Sequence, residues 1–385
     1  MNEIEEVVSD NYGFKLIDDT SVSEPIDLEQ FKNGQELRLL AIHDKQRIIA
    51  ASNSKSLKFI SADTLEEIGT VERDFGITQL YFTESKFYIL NNNIIQTLTL
   101  DQIKRKDYQF LSLEGNYTNL KPLNDEVYLA LDEDGNLYHN SSKIASNVIR
   151  FIWHKSSSPI YVTKSDQFQI MGKPIGYDEA TKEDLSDLHL VELFSIKDYI
   201  FLVYDSSEEQ PSDDHQIRTF LLKYEKDEKY TPYAIEIASP YGAAYRTTTY
   251  YYASITNWLE STQLQFITSS LSLEIGILDQ TNTPPESIVP SEDSNKANYP
   301  IDDETLLDVS PIGFAISVHE LNSKVDSPCV GVEGEVVGKL PKMYALLDNG
   351  KLRSWWVFNK NGILKDKVSL ERAIAVEDSV VATHK

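Results

Sequence analysis

The sequence predicts an all-β fold, an irregular seven-bladed β-propeller, and three observations carry the prediction. Short apolar runs one strand long recur from about residue 38 to residue 358, one hairpin pattern occurs twice, and amphipathic helical periodicity is scarce. Representative runs are 47–51, 86–90, 93–100, 160–163 and 199–204, each rich in β-branched or aromatic residues. The repeated hairpin is Tyr128-Leu129-Ala130-Leu131-Asp132-Glu133-Asp134-Gly135-Asn136-Leu137-Tyr138, echoed by Tyr344-Ala345-Leu346-Leu347-Asp348-Asn349-Gly350-Lys351-Leu352. Asp-Gly and Asn-Gly tolerate the positive φ of tight turns, so both segments read as strand, turn, strand. A hairpin that recurs at long range is what repeated four-stranded blades produce.

Grouping strands by fours places blade starts near Leu37, Ile77, Tyr117, Asn147, Leu190, Arg246 and Pro311. The division that follows is an N-terminal segment joining the ring (1–36), the propeller (37–360) and a C-terminal segment (361–385). The chain lacks the Gly-His and Trp-Asp pairing of WD40 blades and the double glycine of kelch blades, so its blades are degenerate. A closed ring removes exposed sheet edges, which lets such a fold stand with little helix.

Three connections are too long for simple turns, and long loops in compact domains carry function. Residues 173–189 include Thr181 and Asp184, which suggest a capping box opening a short helix. Ser206–Asp214 is an acidic tip. Residues 280–310 form the longest connection and carry Glu286, Glu292, Asp293, Asp302, Asp303, Glu304 and Asp308 against Lys296, a formal charge of -6. Within it, Pro300–Leu307 suggests a short acidic helix whose first turn holds Asp302, Asp303 and Glu304, where the helix dipole favours acids. Tyr299, Leu306 and Leu307 need an apolar surface to pack on, which points to a fixed protrusion.

The 385 residues carry 61 acidic and 36 basic side chains, a formal charge of -25. That balance argues against direct binding to nucleic acid, which needs clustered Lys and Arg, and points to basic protein partners. Hydrophobic residues at 41% with 21 Tyr and 15 Phe supply a large core. The single Cys329 makes no internal disulfide and reads as a packing residue in a reducing compartment. An acidic start, Met1-Asn2-Glu3-Ile4-Glu5-Glu6, is neither signal peptide nor presequence, and no run suits membrane insertion, which together suggest a cytosolic or nuclear protein.

Catalytic and cofactor patterns are missing. Seven histidines, at 43, 139, 154, 189, 215, 319 and 384, lack metal-ligand spacing, and there is no nucleophile elbow or phosphate loop. Asp132, Asp134 and Gly135 echo the start of a calcium loop but lack its later ligands, and the hairpin already explains them. The expectation is a binding protein with no catalytic residue, metal or cofactor. Its rivals are a propeller hydrolase with paired carboxylates at the ring axis and a generic peptide-binding propeller. Carboxylates clustered at the axis would favour the first rival, and carboxylates clustered on 280–310 would favour docking.

Residues 290–301, Pro-Ser-Glu-Asp-Ser-Asn-Lys-Ala-Asn-Tyr-Pro-Ile, followed by Asp308 and then Pro311-Ile312-Gly313-Phe314-Ala315, carry a specific resemblance. So do Tyr12-Gly13-Phe14-Lys15, Ser239-Pro240-Tyr241-Gly242, Pro328-Cys329-Val330-Gly331-Val332 and Leu340-Pro341-Lys342-Met343-Tyr344. The chain resembles the amino-terminal propeller of the large FG nucleoporin on the cytoplasmic filaments of the nuclear pore, in its fungal form. The resemblance implies a propeller that docks the DEAD-box RNA helicase of mRNA export at the cytoplasmic face of the pore. It also implies contact through the loop between the sixth and seventh blades, here 280–310, with Lys296 where the family usually has Arg and Asp308 at an acidic position. Lys lacks the planar bidentate geometry of Arg, so that contact differs from the family pattern. Partner-binding candidates are therefore Lys296, Asp308, Asp302, Asp303, Glu304 and Asp293, with RNA competing for the helicase's basic face. The family's FG repeats and coiled-coil tail are not in this sequence, which reads as a propeller within a longer protein that meets other nucleoporins elsewhere.

Overall fold

A computed structural model describes residues 2–31, 35–73, 76–154, 158–196, 198–206, 216–225, 229–238, 248–259, 263–302, 308–319 and 323–377. Among these, six sheets of four to six strands stand around an axis. The first sheet is Leu40–His43, Ile48–Ser52, Ser56–Ser61 and Glu67–Glu72; the second is Ile77–Phe82, Lys86–Asn91, Ile94–Thr99 and Leu111–Ser112. The third is Asn119–Pro122, Tyr128–Leu131, Leu137–His139 and Ser142–Ala145. His189–Ile196, Tyr199–Asp205, Ile217–Tyr224 and Tyr230–Ala234 make the fourth, with Asn2–Glu3 added in parallel. Tyr250–Thr256, Gln263–Ser269, Gly276–Asp279 and Glu286–Pro290 make the fifth, flanked by Glu6–Ser9 outside and Ile374–Glu377 inside. Pro311–Ser317, Lys342–Leu347 and Lys351–Asn359 are joined by Tyr12–Ser21 to complete the sixth.

The all-β propeller is as the sequence predicts, but the expectation of seven four-stranded blades is corrected. Where a blade is expected near Asn147, Val148–His154 pairs only with Ser158–Thr163, and Gln169–Ile170 pairs with Lys173–Pro174 as a separate ribbon. The cause is local. Asp166 turns the chain by accepting from the Phe168 amide at 2.9 Å, and Gln167 bonds to Leu188 O and the Leu190 amide, so the strand after 163 leaves the ladder.

The starts expected at Ile77 and Pro311 are the first residues of their innermost strands, and those at Leu37, Tyr117, Asn147 and Leu190 fall within three residues of theirs. Arg246 lies outside the described residues. Both copies of the repeated hairpin occupy the second and third strands of a sheet, with Gly135 and Gly350 at φ of +75° and +81°. At Gly350 a Cβ would stand 2.1 Å from the carbonyl oxygen of Ser23.

The apolar core runs around the ring between the sheets. Successive residues of one strand serve opposite neighbours: Tyr128 and Ala130 pack toward the second sheet, Leu129 and Leu131 toward Val148, Phe151 and Trp153. Met343 and Ala345 likewise face the fifth sheet, while Tyr344 and Leu346 face the first. A strand buried on both faces reads as a continuous apolar run, which is how these strands look in the sequence. Near the axis the innermost strands touch directly. Leu39 N donates to Ile312 O and Arg38 N to Thr78 O, both at 2.8 Å, and a Cβ on Gly313 would sit 2.5 Å from the Leu40 amide.

Among the described residues helix is confined to short pieces. In the connection 173–189 the helix is Glu179–Asp184, capped by Asp178, whose side chain accepts from the Thr181 amide, so the cap lies three residues before the one expected. Among the described residues no helix is long and apolar enough to cross a membrane.

Candidate functional site

The expected connection 280–310 is shorter in the structure, because Glu286–Pro290 is the outer strand of the fifth sheet, paired with 276–279 and with 6–9. Ile288 and Val289 supply the β-branched character that makes it a strand. The connection proper is 291–310, between the fifth and sixth sheets. Of the expected acidic helix over 300–307, residues 303–307, with Asp303, Glu304, Leu306 and Leu307, lie outside the described residues, as do the acidic tip residues 207–214, while Ile301 stands in an isolated bridge with Asp308 and not in a helix.

Both ends of the connection are bolted to the ring. Ile275 N donates to Ala297 O at 3.1 Å and Tyr299 N to Leu273 O at 2.8 Å. The Tyr299 ring lies edge-on to Trp355, and its hydroxyl sits 2.9 Å from Thr268 Oγ1, which in turn meets Ser272 Oγ at 2.8 Å. Burial pushes the Tyr299 phenol well above its ordinary range, so it stays protonated and available for this bond. At the far end Val309 N donates to Pro300 O, and Ile301 bridges Asp308, which closes the base of the loop. Gly13 permits a further close approach: a Cβ there would stand 2.9 Å from Asn295 Cβ and 2.7 Å from the Phe358 ring.

Of the candidate residues, the structure brings Asp293 and Lys296 together. A short 3-10 turn, Asp293–Asn295, places Lys296 Nζ 2.9 Å from Asp293 Oδ1. The Asp293 hydrogen bond, with the charges of Glu274 and Glu6, holds the Lys296 ammonium above the usual lysine range against the opposing effect of burial. Glu6 and Glu274 were not legible as site residues, since they come from the N-terminal strand and the preceding turn of the fifth sheet. Asp308 is exposed at the loop base, and Asp302 is half-buried. Beside them Ile301 is 60% exposed, an apolar side chain in an acidic surface. The site therefore offers carboxylates, one lysine held among them and an exposed isoleucine on a base fixed to the ring, a surface suited to a basic partner.

The ring axis holds a second cluster of charge. Arg38, 4% exposed, has Nη2 3.3 Å from Glu36 Oε2 and 3.2 Å from Glu192 Oε2, while its Nη1 donates to Tyr250 O. Lys121 and Arg150 add positive charge nearby. Burial raises the Glu36 carboxyl, but Arg38, Arg150 and Lys121 outweigh it and hold it below the usual range; burial, then the charge of Glu36, keeps Glu192 raised. Carboxylates thus gather at the axis as well as on the loop, but the axial pair is spent on shared cations.

Elsewhere, Asp132 is consumed by its own hairpin, accepting from the amides of Asp134 and Asn136 and from Tyr138 Oη, and no cluster of three metal-ligating side chains occurs among the described residues. Cys329 is half-buried against the core, and burial raises its thiol.

Fold and site together define a propeller with an acidic, rigidly based connection on one rim. The chain belongs to the NUP159/214 beta propeller family, whose sequence profile matches residues 34–352. It is 23% identical over 356 residues to nucleoporin NUP159 of Saccharomyces cerevisiae, covering 91% of this chain and 22% of that protein. The chain thus spans about a fifth of the length of that relative. In fold it is similar to the crystal structure of the N-terminal domain of Nup159, with TM-score 0.72 at 19% identity, covering 93% of this chain and 99% of that one. A chain from S. cerevisiae Dbp5 bound to Nup159, Gle1, IP6 and ADP aligns with TM-score 0.74 at 18% identity, covering 93% and 98%.

Proposed function

We propose that this chain docks the DEAD-box RNA helicase of mRNA export at the cytoplasmic face of the nuclear pore, acting by binding and not by catalysis. The carrying observation is the connection 291–310. It is acidic, it is fixed at both ends to the ring, and it belongs to a member of a family in which a solved complex joins Nup159 to Dbp5. Asp293, Lys296, Asp302, Asp303, Glu304 and Asp308 form the contact, with Ile301 as its apolar centre. A helicase must present a basic face to RNA, so this loop and RNA compete for it.

The hydrolase alternative rests on the axial carboxylates. Glu36 and Glu192 each sit against Arg38 and lie among further cations, so neither is placed to give or take a substrate proton. We read the two ribbons at 148–174 as a reduced fourth blade in a ring of seven wedges. Arg150 Nε donates to Val191 O of the next sheet and Trp153 Nε1 to Lys121 O of the preceding one, which supports that reading. The strands 2–3, 6–9 and 12–21 of the N-terminal segment and 374–377 of the C-terminal one then serve the ring as added strands, and contacts with other nucleoporins fall to segments outside this chain.

Calorimetric titration of the helicase tests docking. Asp308→Ala or Lys296→Ala is expected to weaken binding by about 2 to 5 kcal/mol if the charge pairs are desolvated, with the melting profile unchanged. RNA is expected to displace the propeller. Unaltered affinity in both variants would move the contact elsewhere on the ring.

A further inference from the structure

The opposite face of the ring carries a cavity of about 480 Å³ at the axis, within the range of ligand sites. It is lined where the innermost strands end: His43 and Asp44 after 40–43, Thr83 and Glu84 after 77–82, Val318 and His319 after 311–317. The connection 291–310 leads into the beginning of the strand 311–317, so the two sites lie on opposite faces of the ring.

The cavity walls are apolar, from Ile42, Phe82, Tyr252, Phe314 and Ile316, and its rim is acidic, with Asp44, Glu84, Asp125 and Glu126 against Lys45. Two of those carboxylates are fixed in place. Asp44 accepts from Ser317 Oγ and the Val318 amide, and Asp125 accepts from Thr83 Oγ1 and the Ser85 amide. His43 adds no charge, because its Nδ1 accepts from the Gln46 amide, its Nε2 donates to Glu84 O and burial lowers its affinity for a proton.

A separate observation comes from the cavity wall. Tyr81 lines the cavity, is 5% exposed, and its hydroxyl has no hydrogen-bond partner among the described residues. That hydroxyl is shut off from the cavity space, so it belongs to the buried wall and is not a contact for a ligand. An extended chain already forms one wall: Ile374–Glu377 pairs antiparallel with the inner edge of 253–256, and Ala375 faces the cavity.

From this we infer that the cavity binds an extended peptide in trans, one bulky apolar side chain entering between Phe82, Tyr252 and Phe314, with flanking Lys or Arg on the acidic rim. Basic flanks suit the rim and not the floor, since the floor already holds Arg38.

The test is fluorescence anisotropy of the full chain with labelled Gly-Lys-Lys-Phe-Lys-Lys-Gly and two analogues, one with Gly for Phe and one with Glu for every Lys. Binding of the parent is expected to be at least about tenfold tighter than either analogue. Glu84→Lys with Glu126→Lys is expected to weaken it about tenfold. Asp101→Lys, at an exposed position of the helix Leu100–Arg105 that does not line the cavity, is the control for bulk charge. Equal affinity for the Phe and Gly peptides, or equal losses at the rim and at Asp101, overturns the inference. So does parent binding seen only after removal of residues 378–385, which would make the chain's own end the occupant.

Discussion

Arg38→Met isolates the axial cluster. Arg38, Glu36 and Glu192 are 4%, 6% and 1% exposed, and one guanidinium serves both carboxylates and Tyr250 O. Methionine fills similar volume but leaves two buried carboxylates facing each other, and breaking a buried pair in this way costs about 3 to 5 kcal/mol. Unfolding 385 residues at about 2.1 cal/mol/K each gives an entropy near 0.8 kcal/mol/K, so the melting temperature is expected to drop by about 4 to 6 °C. The pH dependence has a definite sign. In the native chain the lowered Glu36 carboxyl contributes stability above its unfolded pKa, and that contribution fades as pH falls through its folded value. In the variant, burial without Arg38 raises both carboxyls, so stability falls as pH rises through them. The deficit is therefore largest near pH 7 and shrinks toward pH 4, and Glu192→Gln added to Arg38→Met recovers part of it. Calorimetric melting of the three proteins at both pH values decides the matter. A deficit that is the same at pH 7 and pH 4 would refute the electrostatic account.

Other outcomes test the site and the ring. Helicase binding is expected to weaken from 0.1 to 1 M salt, as the Debye length contracts from about 10 to 3 Å, with charge reversal at Asp308 outweighing reversal at the exposed Asp101 in surface plasmon resonance. Tyr299→Phe removes the bond to Thr268 at a cost of about 0.5 to 1.5 kcal/mol, and hydrogen exchange at the Tyr299 amide is expected to quicken relative to the fifth-sheet strands. Gly313→Ala forces a methyl to within 2.5 Å of the Leu40 backbone; denaturant melts are expected to show a loss of about 1 to 3 kcal/mol, and full stability would contradict the close approach.

Sequence alone determined the class of the fold and the place of the acidic connection. Runs such as 128–131 and 344–347 are apolar on both faces, and that local pattern follows from each strand packing against two neighbouring sheets. Turn chemistry is also local, which is why Asp134-Gly135 and Asn349-Gly350 marked hairpins correctly. The charge of 280–310 is additive along the chain, so it too was legible, whereas its length was overestimated because Glu286–Pro290 is a strand only by virtue of partners at 276–279 and 6–9.

Only the tertiary structure decided what depends on distant residues meeting. Ring closure through Tyr12–Ser21, more than 300 residues from its partner strand, leaves no local trace. Gln167 bonding to Leu188 and Leu190 diverts a strand that its own composition would have kept in a blade. Glu36, Arg38, Lys121 and Glu192 read one by one as ordinary charged residues, and become an axial cluster because the segment leading into the first sheet and the innermost strands of the third and fourth converge there. Lys296 acquires Glu6 and Glu274 as neighbours in the same way, since electrostatic fields act through space and a sequence records only order along the chain.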